Sequence, residues 1–226
     1  MSALRVAYED DYLLVVDKQP DLVVHPAPGH HGQTLVDLLL VERGPWPGDS
    51  KQSWQAGVVH RLDRDTSGLM LVAKHRAAKL SLQEMIRRRQ VEREYLALVY
   101  GKLDARRGTI DAPIGRDLRD RTRMSVTTDK PREARTHFEV EEWFHDSTLV
   151  QVKLETGRTH QIRAHFSAIG HPVVGDLRYG GAARSDLARQ FLHARRLRFD
   201  HPFDGRRLEL ESPLPADLST VLTALA

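Results

Sequence analysis

Runs of apolar residues alternate along this chain with short polar segments. Three runs, Leu13–Val16, Leu69–Ala73 and Leu96–Val99, contain only apolar residues, which is typical of strands buried in a sheet. In residues 34–42 and 76–90 the apolar positions instead recur at helical spacing, which favours helices with one buried face. Strands and helices in this irregular order predict an α+β fold with a mostly antiparallel mixed sheet and flanking helices.

The same patterns predict the remaining elements. Thr34 and Thr159 are placed to cap two of the helices. The stretch 44–50 contains two prolines and two glycines, which predicts a loop. Strands or extended segments are expected at 5–18 (two strands around an acidic turn), 22–26, 58–59, 91–101, 136–140, 148–154 and 208–215, and a last helix at 215–225.

Composition excludes several classes of protein. The chain has 226 residues, 40% of them apolar, enough for one sizeable core or two small ones. It contains no cysteine, which rules out disulfides, cysteine nucleophiles and thiolate metal sites. The N-terminus lacks the apolar segment of a signal peptide, and no apolar run is long enough to span a bilayer. We therefore expect a cytoplasmic protein with no membrane partner.

The positions of the basic residues are more informative than the net charge of the chain. The formal net charge is only +3, from 34 basic and 31 acidic residues, which is compatible with a polyanionic partner without establishing one. The most basic polar stretch, 108–135, has few apolar residues and contains Arg116, Arg119, Arg121, Arg123, Lys130, Arg132 and Arg135. It is either a solvated loop or a surface for phosphates, which the planar guanidinium suits.

The segment from His60 to Gly68 is densely polar and lies between two apolar runs. Within it Asp63 has Arg61 and Arg64 as close neighbours, and a carboxylate beside arginines stays ionised. An ionised, positioned carboxylate can act as a nucleophile or as a general base. The alternative is a salt-bridged turn, since Asp, Thr and Ser are ordinary turn and cap residues.

The histidines do not predict a metal site. His25, His30 and His31 lie close together, but no carboxylate or cysteine spacing completes a ligand set. His160 and His165 are five residues apart and lack the glutamate of a zinc-protease helix. We expect no metal.

These segments together resemble one enzyme family. The nine residues from His60 to Gly68 resemble the signature of the RluA-type pseudouridine synthases. Two small departures are Asp21, where the family usually has a glycine-containing turn, and Arg93, where it usually has lysine. The resemblance extends over nearly the whole chain, through segments at 10–26, 93–101, 113–138, 154–165, 170–180 and 192–203.

The resemblance assigns roles to particular residues. It implies that Asp63 is catalytic, that Tyr95 stacks on the target base, and that Arg158 forms an ion pair with Asp63. Because the target uridine must leave its stack to be reached, Arg61 is implied to fill the vacated space. Further RNA-binding residues are expected among Arg64, Arg116, Arg119, Arg121, Arg123, Arg163 and His165.

The resemblance also implies the reaction and the organisation of the protein. We expect an isomerase that converts uridine to pseudouridine in ribosomal or transfer RNA, with no metal, redox or nucleotide cofactor. We expect one catalytic domain over residues 1–226, with a central cleft, acting as a monomer and without the S4-like RNA-binding domain that many members carry. RNA contact would then come from the catalytic domain itself.

Two other classes remain open from the residues alone. A hydrolytic glycosidase normally needs two working carboxylates across the bond, and Asp65 is the nearest second carboxylate to Asp63. A non-catalytic RNA-binding module would account for the basic stretch but would leave Asp63, Tyr95 and Arg158 without a role. Isomerisation without release of free base separates the three.

Overall fold

The chain forms two compact units. The computed structural model describes residues 4–26, 31–44, 46, 57–182, 184 and 186–225. Unit 1 comprises Met1–Glu92 and Ala194–Ser212, and unit 2 comprises Arg93–His193 and Pro213–Ala226. The single domain over 1–226, with its central cleft, stays a prediction.

Strands and helices occur in both units. In chain order they are β1 (Val6–Glu9), β2 (Leu13–Lys18), α1 (Leu35–Arg43), β3 (Ser67–Ala73), α2 (Arg76–Arg87), β4 (Glu92–Tyr100), β5 (Arg107–Asp111), β6 (Gly115–Arg116), β7 (Met124–Ser125), β8 (Arg135–Trp143), β9 (Ser147–Leu154), α3 (Gln161–Ala168), β10 (Leu192–Asp200), β11 (Arg207–Glu211) and α4 (Ala216–Leu225). A short 3-10 helix, Leu177–Tyr179, follows α3.

Unit 1 is built on a sheet with the strand order β1–β2–β3–β10–β11. The β1–β2, β2–β3 and β10–β11 pairs are antiparallel. All seven residues of β3 are buried, and Leu69 and Leu71 pack in one cluster with Leu82 of α2 and Phe199 of β10. Each buried side chain of this size contributes roughly 1.5–3 kcal/mol, so the core fixes where the segment before β3 emerges.

Local signals set the ends of α1. Thr34 is its N-cap: its hydroxyl accepts a hydrogen bond from the Asp37 backbone N–H at 3.3 Å, and the Asp37 carboxylate accepts one from the Thr34 N–H at 2.9 Å. This reciprocal capping box satisfies two N–H groups that a helix start leaves unpaired. The predicted Thr34 cap is confirmed.

Unit 2 contains an antiparallel sheet with the strand order β4–β9–β8–β5. The two-stranded hairpin β6–β7 is separate from that sheet. Helix α3 is buried along its first six residues, from Gln161 to Phe166. The predicted α+β class with a mostly antiparallel sheet is confirmed.

Some predicted elements differ from the structure. Residues 22–26 and 58–59 make only isolated bridges, Val23 to Thr34 and Val58 to Val72, so neither segment is a strand. The stretch 108–135 contains β5, β6 and β7 and is more ordered than a solvated loop.

One helix boundary also differs. The N-cap of α3 is His160 rather than Thr159. Most of the predicted loop at 44–50 and the residue His30 lie outside the described residues. No helix in the described part of the chain is long and apolar enough to cross a membrane.

Candidate active site

The turn that carries Asp63 lies in unit 1, directly before β3. Within it the Thr66 N–H donates to the Asp63 carbonyl at 3.2 Å. Leu62 is buried, Asp63 is half-buried and Arg61 is exposed. Asp63 thus lies between the buried Leu62 and the exposed Arg64, at the edge of the core of unit 1.

A buried lysine of β2 holds this turn. Lys18 is only 2% exposed, and its ammonium donates to the carbonyls of Gln19 at 2.8 Å, Leu22 at 3.0 Å and Arg64 at 2.8 Å. An ammonium has three donors, so these bonds compensate the cost of burying the charge. Because the Arg64 carbonyl directly follows Asp63, Lys18 fixes the backbone of the turn beside the aspartate.

The exit of the turn into β3 depends on close packing. Gly68 has φ +109°, and a Cβ there would collide with the backbone of Ala194 in the neighbouring strand β10. At the other end of the turn, His60 Nε2 accepts a hydrogen bond from the Leu71 N–H at 3.0 Å. The turn is therefore tied to the sheet on both sides.

Arg64, which follows Asp63, pairs with Asp21. Its Nε donates to Asp21 Oδ1 at 2.7 Å, and it lies 3.9 Å from Asp65. The hydrogen bond and charge of Asp21 raise the pKa of Arg64. Asp21 has φ +58°, a left-handed conformation that aspartate tolerates better than most residues, which explains how it replaces the family's glycine.

Tyr95 lies in unit 2, on β4 opposite Val152 of β9, and is 5% exposed. Its neighbour Arg93 reaches the turn before α3: a Cβ added to Gly157 would lie 2.7 Å from Arg93 Nη1. Glycine at 157 is what permits this approach. The start of β4 and the turn that carries Arg158 are therefore in contact.

A buried glutamine fixes that turn. Gln161 Oε1 accepts from Thr156 Oγ1 at 2.8 Å and from the Arg158 N–H at 3.0 Å. Its Nε2 donates to the Arg135 carbonyl and to Thr136 Oγ1, both at 3.0 Å. The side chain thus joins the Arg158 turn to β8. Sequence reasoning assigned Gln161 no role, although its position at the start of a buried helix was a signal.

Arg158 borders a basic cleft in unit 2. Its Nε donates to the Glu133 carbonyl at 2.9 Å. The cleft has a volume of about 520 Å³, and its cationic lining residues are Arg116, Arg121, Lys130, Arg132 and Arg158, with Asp129 as the carboxylate. Such an excess of positive charge in a concave site attracts phosphates.

The loop between β6 and β7 is shaped by two aspartates. Asp117 Oδ1 accepts from the N–H groups of Arg119 at 2.8 Å and Asp120 at 3.0 Å. Asp120 Oδ1 accepts from the Thr122 N–H at 2.9 Å and hydroxyl at 2.6 Å. These hydrogen bonds hold the pKa of both carboxyls below the ordinary value. The carboxylates thus build the loop, while Arg119 and Arg121 are exposed on it.

Arg123, at the end of the loop, is half-buried and has its guanidinium 5.0 Å from the Tyr179 ring centroid. Arg116 is exposed, but one of its Nη atoms donates to the Arg121 carbonyl at 2.6 Å. These two arginines therefore support the loop as well as contributing charge.

Arg163 and His165, expected to contact RNA, are instead buried in unit 2. Arg163 donates to both carboxylate oxygens of Asp176, at 2.6 and 2.9 Å. His165 bonds Thr136 Oγ1 and the Ala112 carbonyl, each at 2.8 Å, and burial lowers its pKa. Both side chains are buried and support α3, so neither is available to contact RNA.

Two of the histidines near the N-terminus, His25 and His31, lie within the described residues and differ in burial. Burial, and next the charge of Arg61, lower the pKa of His25, while His31 is exposed. Within the described ranges, no three or more His, Cys, Asp or Glu side chains are grouped to hold a metal ion.

Known proteins resemble this chain along most of its length. Residues 12–168 match the model of the RNA pseudouridylate synthase family. The chain is 48% identical over 222 residues to the uncharacterized RNA pseudouridine synthase YlyB of Bacillus subtilis, covering 98% of this chain and 73% of that protein. It is 47% identical over 231 residues to the ribosomal large subunit pseudouridine synthase D of Nitrosomonas europaea, covering 98% and 65%.

A solved structure agrees with the family match. Human RNA pseudouridylate synthase domain containing 1 is 32% identical and superimposes with a TM-score of 0.74 over 98% of this chain and 94% of that one. The chain spans about two thirds to three quarters of the length of the two bacterial relatives.

Proposed function

The chain belongs to the RNA pseudouridylate synthase family, a family of isomerases that act on RNA, and from this premise we propose that it converts uridine to pseudouridine in structured RNA with Asp63 as the catalytic group. The observation that carries the proposal is the family match over residues 12–168. That match includes the Asp63 turn, the Tyr95 strand and the Arg158 turn.

The reaction conserves every atom of the nucleotide apart from exchangeable protons. The bond between N1 of uracil and C1′ of ribose breaks, the base rotates, and a bond forms between C5 and C1′. The proton on C5 leaves to solvent, and N1 gains one. Asp63 acts as the nucleophile towards the sugar or base, or as the base towards the ribose.

Three further residues complete the proposed chemistry. Tyr95 stacks on the uracil, since an aromatic ring offers a surface for any base. Arg158 has the role of the charged partner of Asp63 that the resemblance to the family implies. Arg61, exposed next to the core residue Leu62, fills the space that the extruded uridine leaves.

The basic cleft and the loop between β6 and β7 support an RNA surface in unit 2. Arg119 and Arg121 are exposed there, and the neighbouring carboxylates of Asp117 and Asp120 accept backbone hydrogen bonds. Arginines in this setting pair with phosphates independently of base sequence. We propose that this surface positions the RNA and that the Asp63 turn performs the chemistry.

Ribosomal RNA is the proposed substrate class. The relative from Nitrosomonas europaea is named as a ribosomal large subunit enzyme and shares 47% of aligned residues with this chain. Transfer RNA is the alternative outcome of the same experiment. The proposed cellular location is the cytoplasm, and the proposed active form is a monomer.

The test maps pseudouridines in ribosomal and transfer RNA from cells with and without the gene. A site that disappears is then rebuilt as an RNA fragment carrying tritium on uridine C5 and incubated with the purified protein. Tritium release with pseudouridine in the product supports the proposal. Release of free uracil would indicate a glycosidase, and binding without turnover would indicate a binding module.

Asp63→Asn is the decisive variant. It keeps the shape of the side chain but removes its charge, so tritium release should fall below detection while RNA affinity is retained. Asp65→Asn is the matched control from the same turn, because it removes the same charge two residues away and should remain active. Turnover by Asp63→Asn, or loss of activity in Asp65→Asn alone, would overturn the proposed role of Asp63.

A further inference from the structure

Tyr179, in the short 3-10 helix after α3, joins two segments of unit 2. It is 2% exposed, and its hydroxyl lies 2.8 Å from the backbone N of Met124 and 2.8 Å from Nδ1 of His160. A phenolic hydroxyl both accepts and donates. It can therefore accept from the Met124 N–H and donate to His160 Nδ1 at once.

The two partners belong to the two parts of the proposed RNA site. Met124 begins β7, at the end of the arginine-bearing loop. His160 is the N-cap of α3 and lies two residues after Arg158. The Tyr179 hydroxyl thus bonds two segments. One is the hairpin β6–β7, called the basic hairpin because its loop carries Arg119 and Arg121, and the other is the turn that carries Arg158.

His160 is held in a costly conformation. Its φ of +53° and ψ of +22° place it in the left-handed region, which is strained for a residue with a Cβ. Its side chain makes no capping hydrogen bond to α3. The bond to Tyr179 gives a reason for the conformation, because it holds the imidazole at the hydroxyl.

The Tyr179 ring also orders two arginines. The guanidiniums of Arg163 and Arg123 lie 4.8 and 5.0 Å from the ring centroid, within the range of cation–π attraction. Arg163 is already paired with Asp176. These contacts hold the aromatic ring in place, so Tyr179→Phe should preserve the packing of the ring and remove only the hydroxyl.

We propose that Tyr179 is a positioning residue that couples the basic hairpin to the Arg158 turn. The inference rests on the proposed function and deepens it. The loop is shaped locally by Asp117 and Asp120, so losing the hydroxyl leaves its arginines presented. What is lost is the fixed placement of the hairpin relative to Arg158, and RNA would then bind but be held less accurately for reaction.

The test compares Tyr179→Phe with Tyr100→Phe. Tyr100 is the matched control, since it lies in the same unit and its hydroxyl makes a long bond, 3.4 Å, to the Ala182 carbonyl. In Tyr179→Phe we expect kcat to fall about ten- to a hundredfold, the size of effect that loss of alignment produces. The Kd for RNA should change less than about threefold, because the phosphate contacts are retained. Tyr100→Phe should match the wild type in both.

A double-substitution cycle identifies the bond. His160→Gly removes the imidazole and relieves the left-handed strain, so it should lower kcat by itself. If both residues act through one hydrogen bond, the double variant should be no slower than the slower single variant. Additive losses, or a Tyr179→Phe that weakens RNA binding and leaves kcat unchanged, would overturn the inference.

Hydrogen–deuterium exchange tests the coupling without any activity. In Tyr179→Phe the amides of β7 and of residues 157–161 should both exchange faster than in Tyr100→Phe. A wild type that forms no pseudouridine would refute the proposed function, yet this exchange pattern would still establish the coupling. If pseudouridine forms but the exchange of Tyr179→Phe equals that of the control, the coupling alone is refuted.

Discussion

Two polar segments of this chain are held in place in opposite ways. The Asp63 turn is fixed by residues distant in sequence: the Lys18 ammonium bonds the Arg64 carbonyl, and Gly68 packs against the next strand. The loop between β6 and β7 is fixed by its own neighbours, because Asp117 and Asp120 bond N–H groups two or three residues away. The first is anchored in the core of unit 1 through Lys18 and Gly68, and the second lies on the surface of unit 2.

The difference suits the two tasks proposed for them. Bond cleavage needs a carboxylate placed to within a fraction of an ångström, which buried support supplies. Phosphate binding needs only charge presented at about the right place, which a locally shaped loop supplies at little cost to the core. Substitutions supporting the turn should therefore act on kcat and stability, and those in the loop on Kd.

The largest effect is expected for Lys18→Met. The variant removes the Lys18 donor from the carbonyls of Gln19 and Leu22 and leaves the Arg64 carbonyl with the Leu22 N–H, at 3.3 Å, as a donor. One unsatisfied buried acceptor costs about 1–3 kcal/mol. The free energy of unfolding, measured by urea denaturation, should fall by at least about 2 kcal/mol. In the folded fraction, kcat should fall about a hundredfold through misplacement of Asp63.

Lys74→Met is the control for the loss of a lysine from the same unit. Lys74 is half-buried; it pairs with Glu9 at 3.1 Å and donates to the Asp10 carbonyl at 2.6 Å. Its removal breaks fewer hydrogen bonds than the removal of Lys18 and should lower the unfolding free energy by less than Lys18→Met does. A stable Lys18→Met with wild-type kcat would show that the turn does not depend on its buried support, and the contrast with the loop would disappear.

Elements with strong local signals were predictable from the sequence. The capping box at Thr34 and the apolar stripe of α2 are properties of a few adjacent residues, and both helices form where they were expected. The segments at Val23 and Val58 have strand-like composition too, but each finds only a single bridge partner. Whether an extended segment becomes a strand depends on a partner distant in the chain, which composition does not encode.

The candidate site likewise contains residues that a sequence motif predicts and residues whose roles depend on distant partners. A motif marks Asp63, Tyr95 and Arg158, but nothing in it distinguishes a buried polar residue from an exposed one. The motif therefore predicts that Arg163 contacts RNA. In the structure its guanidinium instead pairs with Asp176, 13 residues later, in the interior of unit 2. The supporting role of Lys18 was likewise hidden, because it depends on a carbonyl 46 residues away.

Removing charge from the loop should have the next largest effect. Arg119→Gln with Arg121→Gln should raise the Kd for RNA about tenfold at low salt and reduce the slope of log Kd against log salt by about one per lost phosphate contact. The chemical step on bound RNA should change little. Binding is measured by fluorescence anisotropy at several salt concentrations.

The matched control removes the same two charges elsewhere. Arg206→Gln with Arg207→Gln changes residues of unit 1 whose side chains are 52% and 50% exposed. Its net charge equals that of the loop variant, so a purely long-range effect would be the same in both. Equal losses of affinity would remove the special position of the loop.

A smaller effect is expected from variants that separate the negative charge of Asp120 from its hydrogen bonds to Thr122. Asp120→Asn keeps an oxygen that accepts from Thr122 but removes the charge, so RNA affinity should be equal to or up to about twofold tighter than that of the wild type. Asp120→Ala loses the acceptor and should weaken binding by loosening the loop. If Asn is as damaging as Ala, the carboxylate charge itself matters, and the loop is not shaped by hydrogen bonding alone.

The smallest effect is the change of stability with pH expected from His165, which supports the Ala112 carbonyl ahead of β6. Burial, the largest cause, lowers its pKa below the ordinary 6.5, against smaller opposing effects of the Ala112 bond and Asp111. The unfolded chain therefore binds a proton more readily than the folded one, and stability falls as pH drops below about 6.5 towards the folded-state pKa. Above 6.5 both states are neutral at this residue, and its contribution is constant.

His165→Gln removes the titration and retains a side chain that can hydrogen-bond. At pH 7.5 the variant should be less stable than the wild type by about 1–2 kcal/mol, since its bonds to Thr136 and Ala112 will be less well aligned. That gap should narrow as pH falls to 5.5, because only the wild type loses stability at this position. Urea denaturation at the two pH values measures it. If this difference in unfolding free energy stays constant or widens, burial does not keep His165 neutral. The segment before β6 would then be no better shielded from solvent than the exposed loop between β6 and β7.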